Sequence, residues 1–116
     1  MKKTDSCNTA TPVAIAMGGN LGDVPATFAS VIAELAGAGM TDVRMSHLYK
    51  TAPMECAPGA PDFVNAALLG RWRGPVEELH DVCKALEAKH GRLEARAKNS
   101  DRPLDLDIIF FGAEII

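Results

Sequence analysis

The segment Arg102-Pro-Leu-Asp-Leu-Asp-Ile-Ile-Phe-Phe-Gly112 decides how the rest of the chain is read. Leu104 to Phe111 is strongly apolar, is interrupted by two aspartates, and stops at Gly112. A strand alternates its faces, so Asp105 and Asp107 fall on one side and Leu104, Leu106 and Ile108 on the other. Upstream lies a polar stretch with Arg92, Arg96, Lys98 and Arg102. Before it, Gly74-Pro75 opens a helix whose apolar positions are Val76, Leu79, Val82, Cys83 and Leu86, with Gly91 as its stop. Phe63 to Trp72 reads as a strand. Met54 to Pro61, with its prolines and a glycine, reads as a loop. Asp42 to Thr51 reads as one strand with Val43, Met45 and Tyr49 at alternating positions. Asp23 caps a helix with Pro25 in its first turn and Phe28, Val31, Ile32 and Leu35 on its apolar face. Val13 to Met17 is a short buried strand. Strand, helix, strand, strand, helix, strand is the order of a ferredoxin-like βαββαβ unit. That unit is an α+β fold with a four-stranded antiparallel sheet and two helices on one face. Residues 113–116 are too few to add another element.

The chain has 116 residues, enough for one domain with a real core; residues 1–12 read as a ragged tail and 13–116 as the domain. Apolar residues at 47% and charged residues at 23% exclude disorder and collagen-like structure. Twelve Lys and Arg against fifteen Asp and Glu leave a net charge of −3, without the basic excess of a nucleic-acid module. The apolar runs are far below the ~18 residues of a membrane span, and the first residues lack the apolar centre of a signal peptide. Three cysteines, Cys7, Cys56 and Cys83, show no CxxC or zinc spacing. They read as free thiols of a reducing compartment, which points to the cytoplasm.

Two carboxylates side by side on one strand face repel each other and are costly beside a core unless cations neutralise them. A hard, oxygen-seeking ion such as Mg²⁺ suits the pair, sharing its coordination sphere with substrate phosphates, and two such ions could clamp a phosphoryl displacement. A solvated edge strand is the competing reading for the bare Asp-x-Asp. The neighbouring arginines shift the balance toward a polyphosphate site, although on its own that stretch reads as a solvated connector. Gly18-Gly19-Asn20-Leu21-Gly22 matches neither G-x-G-x-x-G nor the P-loop and reads as a tight turn, with Asn20 as a polar side chain placed there. His47, His80 and His90 lack ligand spacing and suit surface or capping roles. No nucleophile with a partner base is present, which disfavours a covalent intermediate. Phe63 and Asn65 share a strand face, so they could stack a flat heterocycle and hydrogen-bond its edge.

These residues resemble the 6-hydroxymethyl-7,8-dihydropterin pyrophosphokinases of folate biosynthesis. The carriers are Gly18-Gly19-Asn20-Leu21, Tyr49-Lys-Thr51-Ala-Pro53, Pro61-Asp-Phe63-Val-Asn65-Ala-Ala67, Gly91-Arg92 and Arg102-Pro-Leu-Asp105-Leu-Asp107-Ile. The resemblance implies transfer of pyrophosphate from ATP to the pterin hydroxymethyl oxygen, releasing AMP. It implies two Mg²⁺ ions on Asp105 and Asp107, with Arg92 and Arg102 as catalytic and nucleotide-binding contacts to the phosphates. Thr51, Ala52, Met54, Phe63 and Asn65 would bind the pterin, and Glu87 would face the adenosine side. Asn99 and Glu94 depart from the family's usual Trp and Arg, and Arg96 and Lys98 are candidate substitutes. Members continue a few dozen residues beyond the position of Ile116, so this chain is expected to lack that C-terminal segment. The alternative is an inactive pterin- or protein-binding domain of the same fold.

Overall fold

The computed structural model of the chain describes residues 10–20, 22–51, 62–90 and 104–115. In chain order the elements are β1 (Thr11–Gly19), α1 (Val24–Ala38), β2 (Thr41–Met45), β3 (Tyr49–Thr51), β4 (Phe63–Trp72), α2 (Val76–Lys89), β5 (Asp105–Phe111) and β6 (Glu114–Ile115). All pair antiparallel in one six-stranded sheet of order β2-β4-β1-β5-β6, with β3 also lying against β4. The fold is α+β, as expected, but where four strands were expected the described residues form six.

Two local events account for the extra strands. The stretch expected as one strand over 42–51 is broken at residues 46–48 into β2 and β3, both on the same edge of β4. Residues 113–116 do add an element: Gly112 turns the chain with φ +67°, and Glu114 and Ile115 fold back on Phe111 and Phe110. A tight turn needs so few residues that even four can return one pair of ladder bonds.

The helices form where capping and periodicity place them. The Asp23 carboxylate accepts from the Ala26 N–H at 3.2 Å, Pro25 sits in the first turn, and Gly39 closes α1 by donating to the Ala36 carbonyl at 3.1 Å. No side chain caps the start of α2. Glu77 and Glu78 in its first turn oppose the positive end of the helix dipole instead. Phe28, Val31 and Leu35 of α1 and Leu79, Cys83 and Leu86 of α2 join Val13, Ile15, Met17, Ala66, Leu68, Trp72, Leu106 and Ile108 of the sheet in one buried cluster. Register partners such as Ile15 with Leu68 and Ile108 share this face, so both helices cover the same side. None of the described helices is long and apolar enough to cross a membrane.

β4 passes close to the end of α1 at Gly70. A Cβ on Gly70 would lie 2.7 Å from Met40 Sδ and 3.3 Å from the Thr41 carbonyl oxygen, and Met40 is itself buried. Gly70→Ala therefore forces Met40 out of its place. We expect a loss of about 1–3 kcal/mol, visible as a lower thermal midpoint with an unchanged far-UV spectrum.

The opposite side of the sheet carries no described element. A register irregularity between Ala14 and Ile15 leaves Ile109 as an extra residue in β5, with Ile108 opposite Ile15 and Phe110 opposite Ala14. Beyond it Phe110 emerges on the helix-free face and Phe111 turns toward the core.

Candidate active site

Antiparallel register partners have their side chains on the same face of the sheet. Tyr49 opposes Asn65, Asn65 opposes Gly18, and Gly18 opposes Asp105. One row on the helix-free face therefore runs Tyr49, Asn65, Gly18, Asp105. A neighbouring row runs Ala67, Ala16, Asp107. With strands about 4.8 Å apart, Asn65 and Asp105 flank Gly18 at a backbone separation of about 10 Å. Asp105 and Asp107 share this face while Leu104, Leu106 and Ile108 are buried on the other, as the alternation predicts. Asp105 is half-buried and Asp107 exposed.

The Asn65 amide is bonded to Thr51 and lies close over Gly18. Its Nδ2 donates to Thr51 Oγ1 at 3.0 Å, and a Cβ on Gly18 would approach its Oδ1 to 3.0 Å. Gly18 thus lies within strand β1 and makes room for a side chain of the next strand. The reading of Gly18 as part of a turn is corrected accordingly. Phe63, half-buried, lies opposite Thr51 and on the same sheet face as Asn65. Asn20, just past β1, is one of two buried polar residues among the described residues, the other being Glu87.

Glu87 is 3% exposed, and its Oε2 accepts the backbone N–H of Leu106 at 2.7 Å. Lys84 Nζ lies 3.4 Å from Oε1. Because β6 pairs only with Phe110 and Phe111, the earlier part of β5 has β1 as its one described neighbour. A carboxylate from α2 therefore secures the strand at the residue between the two aspartates. Burial, and then the charge of Glu87, pushes the Cys83 thiol up to about 11, so it stays protonated and unreactive at neutral pH.

Glu34 of α1 ties down the end of α2, which leads toward Gly91-Arg92. It pairs with Lys89, and His90 Nε2 lies 3.4 Å from its Oε2. The Lys89 hydrogen bond, with help from His90 and Ser30, holds the Glu34 carboxyl below its ordinary value. The clasp's contribution is thus present above the unfolded carboxylate value and is lost as pH falls through the lowered one. His90 takes the C-cap of α2, and His47 and His80 are exposed, matching their expected surface and capping roles.

Ala52, Met54, Arg92 and Arg102 lie outside the described residues, as do Arg96, Lys98, Glu94, Asn99, Cys7 and Cys56. Among the described residues no group of three or more His, Cys, Asp or Glu converges on one metal position. The aspartate pair alone offers hard oxygen donors on an open face, a set that suits Mg²⁺ when phosphate oxygens complete the shell. Sequence reasoning gave no place to Ser46 and named Tyr49 as a strand residue and a carrier of the resemblance, without a place in the site. The proximity of Tyr49 to Asn65 follows from a pairing register that alternation alone does not reveal.

Comparisons with known proteins bear on the family of the chain. The chain is 37% identical over 100 residues to the folate synthesis bifunctional protein of Arabidopsis thaliana, covering 86% of this chain and 20% of that protein. It is 36% identical over 99 residues to the 2-amino-4-hydroxy-6-hydroxymethyldihydropteridine pyrophosphokinase of a Synechocystis strain, covering 84% and 49% respectively. A Chlamydia trachomatis folate synthesis bifunctional protein matches at 29% over 106 residues, 88% of this chain and 23% of that one. The chain thus spans about half the length of the Synechocystis relative and about a fifth of the two bifunctional ones. The family model for 7,8-dihydro-6-hydroxymethylpterin-pyrophosphokinase matches residues 14–116, and with that match the chain belongs to this family.

Proposed function

We propose that this chain carries the core of an enzyme that moves pyrophosphate from ATP to 6-hydroxymethyl-7,8-dihydropterin in folate biosynthesis. The observation that carries the reading is the single row across the helix-free face, with Tyr49 and Asn65 at one end, Gly18 between, and Asp105 at the other, and with Thr51 bonded to Asn65 beside it. A flat ring held at the first end has its substituent directed along the row toward the acidic end. In the reaction the hydroxymethyl oxygen bonds to the β-phosphorus of ATP. The bond from that phosphorus to the α-bridging oxygen breaks, AMP departs, and the hydroxyl proton is lost.

Asp105 and Asp107 would hold two Mg²⁺ ions with ATP, and these ions would supply charge neutralisation at the triphosphate. The protein's own contribution is positioning. Asn65 and Thr51 would hydrogen-bond the pterin edge and Phe63 would stack on one ring face, and the family resemblance supports Ala52 and Met54 as further pterin-binding residues. The family resemblance supports Arg92 and Arg102 as contacts to the phosphates and Glu87 as a residue of the nucleotide side, which the Glu87 carboxylate would serve through its bond to the Leu106 N–H. No protein nucleophile is needed, since holding two substrates in line can by itself supply a large share of the rate. We read the framework as ferredoxin-like, counting β2 and β3 as one interrupted strand, and residues 13–116 as one domain. The cytoplasm suits the free thiols, and neither nucleic acid nor membrane is a partner in this reading.

The direct test incubates the protein with ATP, Mg²⁺ and the hydroxymethyl dihydropterin and follows products by ³¹P NMR. Formation of AMP with pterin diphosphate is expected. Pterin binding without any AMP would instead mark a binding module.

A further inference from the structure

We propose that Ser46 is a positioning residue whose hydroxyl pins a one-residue bulge, turning Tyr49 and Thr51 onto the helix-free face beside Asn65. The inference rests on the reading that a flat heterocycle binds against that wall, and it names the device that builds the wall.

The registers on the two sides of the break differ. Met45 opposes Leu68, whereas Tyr49 opposes Asn65, so residues 46–48 on one strand span only residues 66 and 67 on the other. Had the register of β2 continued, Leu48 would oppose Asn65 and Lys50 would oppose Phe63. A slip of one residue sends every side chain of a strand to the other face. Without the bulge, Thr51 and Tyr49 would point to the helix side, and Leu48 and Lys50 would border Asn65 instead. The 3.0 Å bond from Asn65 to Thr51 exists only in the shifted register.

Ser46 occupies the point of the shift. Its backbone N–H donates to the Ala67 carbonyl at 2.8 Å, as an ordinary ladder partner would. The Ala67 N–H, however, is accepted by the Ser46 hydroxyl at 2.8 Å rather than by a backbone carbonyl. The same hydroxyl donates to the His47 carbonyl oxygen at 2.9 Å. One side-chain oxygen thus satisfies the ladder donor that the bulge leaves over and fastens the bulged segment. Alanine at this position offers neither bond. Threonine keeps the hydroxyl.

The test compares Ser46→Ala and Ser46→Thr in the purified protein. Pterin affinity is titrated by fluorescence, steady-state constants are measured for pterin and ATP separately, and the Thr51–Asn65 contact and Ala67 amide exchange are read by NMR. Ser46→Ala is expected to weaken pterin binding and raise its KM about tenfold, to leave the KM for ATP within about twofold, and to speed Ala67 exchange. Loss or weakening of the Thr51–Asn65 contact accompanies this, and Ser46→Thr restores all of these readouts. If Ser46→Ala lowers the thermal midpoint alone, with the contact and pterin KM intact, the inference is overturned. Should the wild-type protein fail to bind pterin, the functional reading falls. The NMR contact then still decides whether Ser46 sets the register.

Discussion

Replacing Asp107 with Asn is expected to cut AMP formation by about 10³-fold or more, because several kcal/mol of charge stabilisation leaves with the metal it would help to hold. The same loss is expected for Asp105→Ala and Asp107→Ala. Pterin binding should be largely unchanged, since Asn65 and Thr51 lie across Gly18 from the acidic pair. The effect on folding separates a metal ledge from a merely solvated strand. Asp107 is exposed and shares its face with Asp105, so relieving their repulsion leaves the metal-free protein equally stable or slightly more so. Mg²⁺ with ATP should raise the thermal midpoint of the wild type by mass action and do so far less for the variant. Equal turnover in wild type and variant would remove the aspartates from the reaction.

The second large effect belongs to Glu87. Truncation to Ala leaves the Leu106 N–H, bonded at 2.7 Å to a carboxylate, without that acceptor in a buried setting. A loss of about 2–3 kcal/mol in unfolding free energy follows from the cost of an orphaned buried donor and a charge-assisted bond. Because Leu106 sits between Asp105 and Asp107, the same substitution should also weaken Mg²⁺-dependent turnover. Glu87→Gln keeps an oxygen of similar reach and is expected to recover most of the stability. Urea unfolding, with turnover measured at several Mg²⁺ concentrations, checks both parts. If Ala and Gln behave alike in stability, the bond to Leu106 contributes little. The resemblance assigns Glu87 to the nucleotide side, and its bond to β5 gives it a framework role as well.

Much of this arrangement was legible in the residues. The alternation of Leu104, Asp105, Leu106, Asp107 and Ile108 determined which side the acids take, because a central pairing with β1 leaves a strand no other phase. Phe63 to Trp72 was bounded by turn residues and appears with the same limits. Asp23 and Pro25 marked the start of α1 by capping chemistry that acts within a few residues. Features that depend on partners distant in sequence stayed hidden. Nothing local shows that Ser46 exchanges a ladder bond with Ala67. Nor does anything local show that Gly18 leaves space for Asn65, or that Glu87 reaches across to Leu106. The break in the 42–51 strand was missed for the same reason, since alternation is read from one chain segment while register belongs to two. β6 was missed because two residues carry too little pattern to be recognised.

The bulge at Ile109 gives the last long strand a link to spare. Removing that residue would leave Phe110 opposite Ala14 and Phe111 opposite Val13, their present partners, and would merely straighten the ribbon. Relatives one residue shorter at this point can therefore keep both the acids and the aromatic anchor on their proper sides. A gap there in an alignment is a change of length without a change of architecture.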